Sequence, residues 1–311
     1  MGQNKTLVYL LIGLAASCAG KRGEPARRTE PAVEVLRDGL SPAAGLAIDA
    51  PGTYLVARPV EGGSWMLASV HGGKLEDLSP ASSSPTAIAY DARHGRLFWA
   101  EKDLLKIAKV GGFLGLVKSK KSDTPPIEIP ISGAGEITSI DYSILNARAY
   151  FCSPSAKQIW SLDPKKKTVE VILGAEALEK TGLGEPRYLR ASSDGRRLYL
   201  VATQAGNTEG GSAIAIVNLK SRQTELLKAF PGTDLTGIEP YRSHLMTADR
   251  ATGRVFAVTV KGGEVAIPAV PADWKGPVTA FSMDLGAATF LLPVEAGSSA
   301  KLVRFGVAVK E

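Results

Sequence analysis

Residues 86–101 read TAIAYDARHGRLFWAE, and this stretch decides the predicted fold. It contains two short apolar runs, AIAY and LFWA, on either side of the polar turn DARHG. Short runs rich in aromatic and β-branched residues, bounded by turn residues, indicate β-strands. Asp and Gly in the turn tolerate the positive φ angles that tight hairpins require. The stretch therefore predicts a β-hairpin.

The same strand–turn–strand pattern occurs six times along the chain. The first strands begin near residues 44, 86, 138, 188, 236 and 279, so that each copy is about 42 to 52 residues long. Third and fourth strands follow, as in QIWSL at 158–162 and TVEVIL at 168–173. Four-strand repeats of this length are typical of β-propeller blades. Helical periodicity is almost absent, and residues 174–180 form the one candidate helical turn.

The two ends of the repeat region complement each other. The sixth repeat stops after KLVRF at 301–305 without a fourth strand, and AVEVL at 32–36 closely echoes TVEVIL of the third repeat. We therefore predict that the N-terminal strand, residues 31–37, forms the outer strand of the sixth blade and closes the ring. The predicted fold is all-β, a six-bladed β-propeller of four-stranded blades over residues 31–311. A closed ring leaves only short strand edges exposed.

The N-terminus has the features of a secretory signal. Residues 1–17 combine one cation, the apolar run LVYLLIGL at 7–14 and small residues directly before Cys18. The stretch LAASC at 14–18 resembles a lipobox, the site at which bacterial lipoproteins are cleaved and lipidated. The alternative is an ordinary secretory signal whose cysteine falls at this position by chance.

The lipobox resemblance implies a lipid anchor and also a cellular location. It implies a signal peptide over residues 1–17, a palmitate-type lipid on Cys18 and a tether over residues 18–30. Ala19 and Gly20 follow the cysteine, with no aspartate in the second place. By resemblance to lipoprotein sorting, this implies the outer membrane of a bacterial cell envelope, with the protein facing the periplasm.

A family resemblance comes from the second repeat. Residues 91–101, followed by LKIA at 105–108, resemble a YWTD- or NHL-type blade, and residues 31–311 are similar to TolB-like six-bladed propellers. The resemblance implies the fold and leaves the function open. Related lactonases and gluconolactonases hold a divalent metal in the central channel with Glu, Asn and Asp side chains. This implies a hydrolase as the alternative function, with the following carboxylates as candidates: Glu136, Glu185, Asp234 and Glu239.

Sequence motifs of the common enzyme classes are absent. The chain has no HExxH, GxSxG, CxxC, phosphate-binding loop or calcium loop. His71, His94 and His244 fall in turns of three different repeats, so we expect no metal site. We expect that the protein binds no cofactor and that it is not an enzyme. The net charge of +6 also gives no reason to expect a nucleic-acid partner.

Alternating strand direction sorts the connections onto two faces. We call the face with the first-to-second and third-to-fourth turns the turn face, and it collects most cations, among them Lys165, Lys166, Lys167, Arg196, Arg197, Lys220 and Arg222. We call the face with the second-to-third and blade-to-blade loops the loop face, and it collects most acidic residues, among them Glu101, Glu136, Glu185 and Asp234. The tether enters at the turn face, so a lipid on Cys18 would hold the cationic side towards the membrane.

We predict that a protein or peptide of the envelope binds at the loop face, around the mouth of the central channel. The candidate contact residues are Trp274, Glu136, Glu185, Arg187 and Asp234. Trp274 lies in the connection between blades five and six, where it either anchors a ligand or packs over the blade junction. A third possibility is an envelope component that is purely structural and has no discrete ligand.

Overall fold

The computed structural model describes residues 34–41, 47–50, 52–110, 124–206, 210–266, 277–284, 287–293 and 299–306. Within these ranges, 24 strands form six antiparallel sheets of four strands each. The prediction of an all-β, six-bladed propeller is therefore confirmed. The chain divides into two compact units, Met1–Glu30 and Pro31–Glu311, and all of these strands belong to the second.

The first three blades follow one another along the chain. Blade one contains β2 (Ala47–Ala50), β3 (Thr53–Pro59), β4 (Trp65–His71) and β5 (Lys74–Ala81). Blade two contains β6 (Ala87–Asp91), β7 (Arg96–Glu101), β8 (Leu104–Lys109) and β9 (Ile127–Pro130). Blade three contains β10 (Ser139–Ser143), β11 (Arg148–Ser153), β12 (Gln158–Asp163) and β13 (Thr168–Leu173).

The last three blades repeat this order, and the sixth takes one strand from the N-terminus. Blade four contains β14 (Leu183–Ala191), β15 (Arg197–Gln204), β16 (Gly211–Asn218) and β17 (Thr224–Pro231). Blade five contains β18 (Leu235–Tyr241), β19 (His244–Asp249), β20 (Val255–Thr259) and β21 (Glu264–Ala266). Blade six contains β22 (Ala280–Asp284), β23 (Ala287–Pro293), β24 (Ala300–Gly306) and β1 (Glu34–Leu40).

Helical structure is confined to short connections in the described ranges. The helix α1 (Ala175–Glu179) joins blades three and four, where the sequence predicts a helical turn, and a 3-10 turn spans Glu61–Gly63. None of the helices found there has the length and apolar character needed to cross a membrane.

The central residues of the second strand in each blade are mostly apolar because both faces of the strand are covered. In β7, Phe98 packs with residues of blade three, whereas the adjacent Trp99 packs with residues of blade one. In β11, Phe151 packs with residues of blade two and the adjacent Cys152 packs with residues of blade four. Successive side chains of a strand point to opposite faces of the sheet, so a strand between two neighbouring blades has no polar face.

The buried apolar residues form six clusters, one for each junction between neighbouring blades. Cys152 belongs to the cluster between blades three and four. Burial raises the pKa of its thiol to about 12. A buried thiol with a raised pKa stays protonated, so Cys152 contributes to core packing and is not a nucleophile.

The ring closes between the two ends of the propeller chain. Strand β1 pairs antiparallel with β24, with Glu34 opposite Arg304 and Leu40 opposite Ala300. The prediction that an N-terminal strand completes blade six is confirmed, although the strand spans Glu34–Leu40 and residues 31–33 lie outside the described ranges. Leu40 is 1% exposed and joins the cluster between blades six and one, whereas Val35 on the same strand is 59% exposed.

This arrangement generates a prediction about closure. We expect Leu40→Ala to lower the free energy of unfolding by about 2–5 kcal/mol, because it removes buried methyl groups at the junction where the ring closes. Val35→Ala on the same strand should change it by no more than about 0.5 kcal/mol. Urea unfolding of the two variants measures both values. Equal stability of Leu40→Ala and wild type would mean that β1 does not hold the ring shut.

Candidate functional site

A cavity of about 470 Å³ lies at the centre of the ring. It is lined by the first strands of blades two to six, which contribute residues 86–88, 138–140, 188–190, 237–238 and 279–281. Glu136 and Arg250 line it as well, from a blade-to-blade loop and from the end of a second strand. Both residues belong to the loop face, so this cavity is the channel mouth at which the sequence predicts binding.

Hydroxyl groups join neighbouring blades around this cavity. Thr86 donates its hydroxyl to the carbonyl of Ile137 at 2.6 Å, and Thr138 donates to the carbonyl of Arg187 at 2.8 Å. Thr236 makes the corresponding bond to Thr279 at 3.5 Å. The threonines that recur at the start of the sequence repeats therefore satisfy carbonyls of the next blade, where no strand ladder is available to do so.

One glycine permits close approach of two blades at the cavity. Gly237 has a φ of +66°, and a Cβ atom at this position would lie 2.8 Å from the carbonyl oxygen of Phe281 in blade six. Glycine is the residue that adopts this backbone conformation without a steric penalty. The register of β18 against β19 shifts at the same point, between Thr236 and Glu239.

Two arginines share one aspartate at the mouth. Arg187 donates from Nη1 to Oδ1 of Asp234 at 2.5 Å, and Nε of Arg250 lies 3.3 Å from Oδ2 of the same carboxylate. Arg250 also donates from Nη2 to the hydroxyl of Tyr188. The side chains of Arg187, Asp234 and Arg250 are 30%, 43% and 38% exposed, so a ligand can reach them. A single carboxylate thus faces two guanidinium groups.

A second layer of charge lies further along the first strands. Arg190 donates from Nη2 to Oε1 of Glu239 at 2.7 Å and from Nη1 to Oδ1 of Asp141 at 3.4 Å. Ser282 donates to the same Glu239 oxygen at 2.9 Å. The network connects blades three, four, five and six. Burial by itself would lower the pKa of Arg190, but the two carboxylates outweigh burial and raise the pKa above its ordinary value.

The predicted contact residues do not all meet at this site. Arg187 and Asp234 form the ion pair described above without lining the cavity, whereas the exposed Glu136 lies on its wall. Glu185 is half-buried beside the mouth, where its backbone N–H donates to the hydroxyl of Thr203 at 2.8 Å, and it does not line the cavity. Trp274 lies outside the described residues, and so does Cys18.

Four polar residues of the channel were missed by sequence reasoning: Asp141, Tyr188, Arg190 and Arg250. The available signal was a charged residue inside an otherwise apolar first strand, such as the arginine in YLRAS at 188–192. The channel mouth is also less acidic than the sequence predicts, because Arg187 and Arg250 neutralise Asp234.

Glu101, another carboxylate of the loop face, stabilises the fold. Glu101 is 4% exposed and accepts hydrogen bonds from the backbone N–H of Ser83 at 2.9 Å and from Nε1 of Trp99 at 2.8 Å. Nζ of Lys106 lies 3.1 Å from it. Burial opposes ionisation of Glu101, but hydrogen bonds from Ser82, Trp99 and Lys106 outweigh it and lower the pKa. Glu101 therefore joins blades one and two and is not available to a ligand.

The three histidines are separate, as the sequence predicts. Nδ1 of His94 lies 2.8 Å from the buried Asp91, and Nδ1 of His71 lies 2.8 Å from the hydroxyl of Thr53. His244 is 8% exposed beside Ser243, so it is buried and not solvated. Within the described part of the chain, no three His, Cys, Asp or Glu side chains gather in a group that could hold a metal ion.

The inner charge layer generates a prediction about stability. We expect Arg190→Met to lower the free energy of unfolding by about 3 kcal/mol, because it leaves two poorly solvated carboxylates without their cation. In that background Glu239→Gln should cost far less than it does in the wild type, which a double-mutant cycle of urea unfolding measures. Lys180→Met, at an exposed pair with Glu176, should leave the unfolding curve unchanged. Additive effects of Arg190→Met and Glu239→Gln would contradict the network.

Comparisons with known proteins agree with the fold. No protein-family model and no curated protein matches the sequence. A luciferin-regenerating enzyme is 14% identical, with a TM-score of 0.61 over 90% of this chain and 100% of that one. A proposed gluconolactonase is 11% identical, with a TM-score of 0.58 over 92% and 94% of the two chains. A chain of a nidogen/laminin complex is 13% identical, with a TM-score of 0.54 over 82% and 90%. The chain is a six-bladed β-propeller whose structural neighbours include gluconolactonase-like propeller proteins.

Proposed function

We propose that this chain is a lipid-anchored protein of the bacterial cell envelope whose propeller binds a protein or peptide at the channel mouth. The observation that carries the proposal is the connected group of Arg187, Tyr188, Asp234 and Arg250, of which Tyr188 and Arg250 line an open cavity. Arginine and tyrosine are enriched at protein interfaces and among the residues that dominate binding energy. Their partial exposure leaves them free to exchange internal contacts for contacts with a ligand.

The charges of the mouth indicate the chemistry of the peptide. Arg250 and the exposed Glu136 line the same cavity and come from different blades. Small-molecule sites are mostly apolar with a few polar groups, whereas this mouth carries charges of both signs. A peptide segment with at least one carboxylate, placed towards Arg250, fits such a mouth because guanidinium groups bind carboxylates through paired hydrogen bonds. The nidogen/laminin neighbour supports a binding role by analogy of fold.

The alternative is a metal-dependent hydrolase of the lactonase or gluconolactonase type. It is supported by the fold shared with the proposed gluconolactonase and the luciferin-regenerating enzyme. The channel carboxylates do not fit a divalent ion in this arrangement, because Asp234 already faces two arginines and Glu239 faces Arg190. A metal ion would have to displace these cations and gather several ligands, and no group of three such side chains forms among the described residues, whereas a peptide carboxylate would replace only Asp234 at Arg250. We therefore favour the binding function.

The binding proposal makes a prediction about two arginines. Peptides selected from a random library against the wild-type protein should bind Arg250→Met at least about tenfold more weakly, because the guanidinium at the mouth is lost. Arg222→Met is the matched control, since Arg222 also pairs with a carboxylate, that of Glu170, but lies on the turn face. Binding constants from fluorescence anisotropy measure the difference.

Two outcomes would contradict the binding proposal. In the first, the selected peptides bind Arg250→Met as tightly as they bind the wild type. In the second, the protein hydrolyses lactones when calcium or zinc is added, and Asp234→Asn abolishes that activity. The second outcome would establish the hydrolase alternative.

The anchoring proposal rests on the stretch LAASC at 14–18. We expect Cys18→Ser to abolish incorporation of labelled palmitate and to release the protein into the soluble periplasmic fraction, because serine offers no thiol for lipidation. Cys152→Ser is the control, since Cys152 is buried and should not affect labelling. Radiolabelling and fractionation of cells that express each variant measure the effect. Unchanged labelling of Cys18→Ser would refute the anchor.

A further inference from the structure

The first-to-second turn of blade three carries an exposed apolar tip. Ile144 and Leu145 are 47% and 67% exposed. The corresponding turns of blades two and four, ARHG at 92–95 and SDG at 193–195, consist mainly of polar residues and glycine. Two adjacent large apolar side chains at the tip of a turn gain favourable burial when a partner covers them.

The tip is held in place by the neighbouring blade. Asn146 donates from Nδ2 to the carbonyl of Gly195 at 2.7 Å and to the hydroxyl of Tyr150 at 2.9 Å. Gly195 lies so close that a Cβ atom there would be 3.1 Å from Cβ of Leu145. The turns of blades three and four therefore pack together and present the apolar pair outwards from the turn face.

Basic residues are concentrated in the turns of the two blades that form the tip. The turns of blades three and four contribute eight cations: Arg148, Lys165, Lys166, Lys167, Arg196, Arg197, Lys220 and Arg222. We call these residues, together with Ile144 and Leu145, the turn patch. Three carboxylates lie among them: Asp163, Glu170 and Asp194. Glu170 pairs with Arg222 and lies 3.7 Å from Nη1 of Arg148, and the other two are used within turns. Asp163 accepts from the backbone N–H groups of Lys165 and Lys166, and Asp194 accepts from Ser192.

A groove of about 930 Å³ lies between the turns of these two blades. Arg148, Arg196 and Lys220 contribute its charged side chains, and no acidic residue lines it. Phosphate groups fit such a groove, since they bind guanidinium and ammonium groups by charge and by hydrogen bonding. The patch thus offers an apolar tip beside a phosphate-binding surface.

We propose that the turn patch binds the surface of an anionic phospholipid bilayer. Ile144 and Leu145 enter the boundary between headgroups and acyl chains, and the cations of the patch bind headgroup phosphates. Surfaces that combine apolar insertion with cationic attraction bind membranes in this way. The position of β1 favours a membrane over another occupant, because β1 begins on the same face at Glu34. Only fifteen residues separate Glu34 from Cys18, a reach of at most about 58 Å.

This inference uses the proposed lipid anchor only to place the protein near a membrane in the cell, and the surface itself can be tested without the lipid. Residues 31–311 form a compact unit that contains all of the described strands, so this domain is the material for the test. The probes are vesicles of phosphatidylcholine alone and vesicles of equal parts phosphatidylcholine and phosphatidylglycerol. Co-sedimentation measures the apparent binding constant.

We expect the domain to bind the anionic vesicles and to lose at least about tenfold in affinity on Ile144→Ser/Leu145→Ser, because two apolar side chains no longer leave water. The matched control is Val171→Ser/Leu226→Ser. These residues are 43% and 45% exposed on the outer strands of the same two blades, and neither belongs to the turn patch. Added salt should weaken wild-type binding, since exposed charges are screened. Circular dichroism verifies that both variants are folded.

Three results would overturn the inference. One is vesicle binding by Ile144→Ser/Leu145→Ser that equals the wild type. Another is an equal loss of binding in the control variant. The third is a wild-type dimer in sedimentation that Ile144→Ser/Leu145→Ser abolishes, which would make the patch a self-association surface. Peptide binding at Arg250, measured with the same variants, should be unaffected, so the two proposals fail independently.

Discussion

The packing of each blade against two neighbours is the constraint on which the rest of the structure depends. Side chains such as Phe98 and Trp99 alternate between two clusters, so a single blade exposes apolar surface on both sides. Such a sheet is stable only between two others, and the sequence of blades must therefore return to its start. Pairing of β1 with β24 provides that return and covers the last exposed edge.

Most of the fold could be predicted because its determinants are local. Apolar runs such as LFWA, separated by turn residues, mark strands without knowledge of their partners. The boundaries of the closing strand β1 were harder to predict from the sequence. Six of its seven residues, from Glu34 to Gly39, are exposed or half-buried, and burial begins only at Leu40. An outer strand carries little of the periodicity that reveals inner strands, which explains why the predicted span of 31–37 ends before the observed one.

The sequence predicts on which face of the propeller the site residues lie, but not which of them contact each other. The direction of the strands places Glu136, Arg187 and Asp234 on the loop face. The pairing of Arg187 with Asp234 joins residues 47 positions apart, and it depends on the angle between blades four and five. Arg250 reaches the same carboxylate from the far end of a second strand. The spacing of residues along the chain does not reveal such contacts. The sequence therefore predicts an acidic surface, whereas in the fold the charge of Asp234 is neutralised by two arginines.

Fold and site are coupled through a single strand. Strand β14 carries Arg187 and Tyr188 at the mouth and Arg190 in the inner layer, and these residues contact blade five through Asp234, Arg250 and Glu239. A shift of blade four relative to blade five would disturb both layers at once. The inner layer is the less exposed of the two, so its ion pairs are stronger and less screened by salt. It therefore fixes the blade angle that the mouth requires, and the mouth keeps the solvent-exposed charges that can be exchanged for those of a ligand.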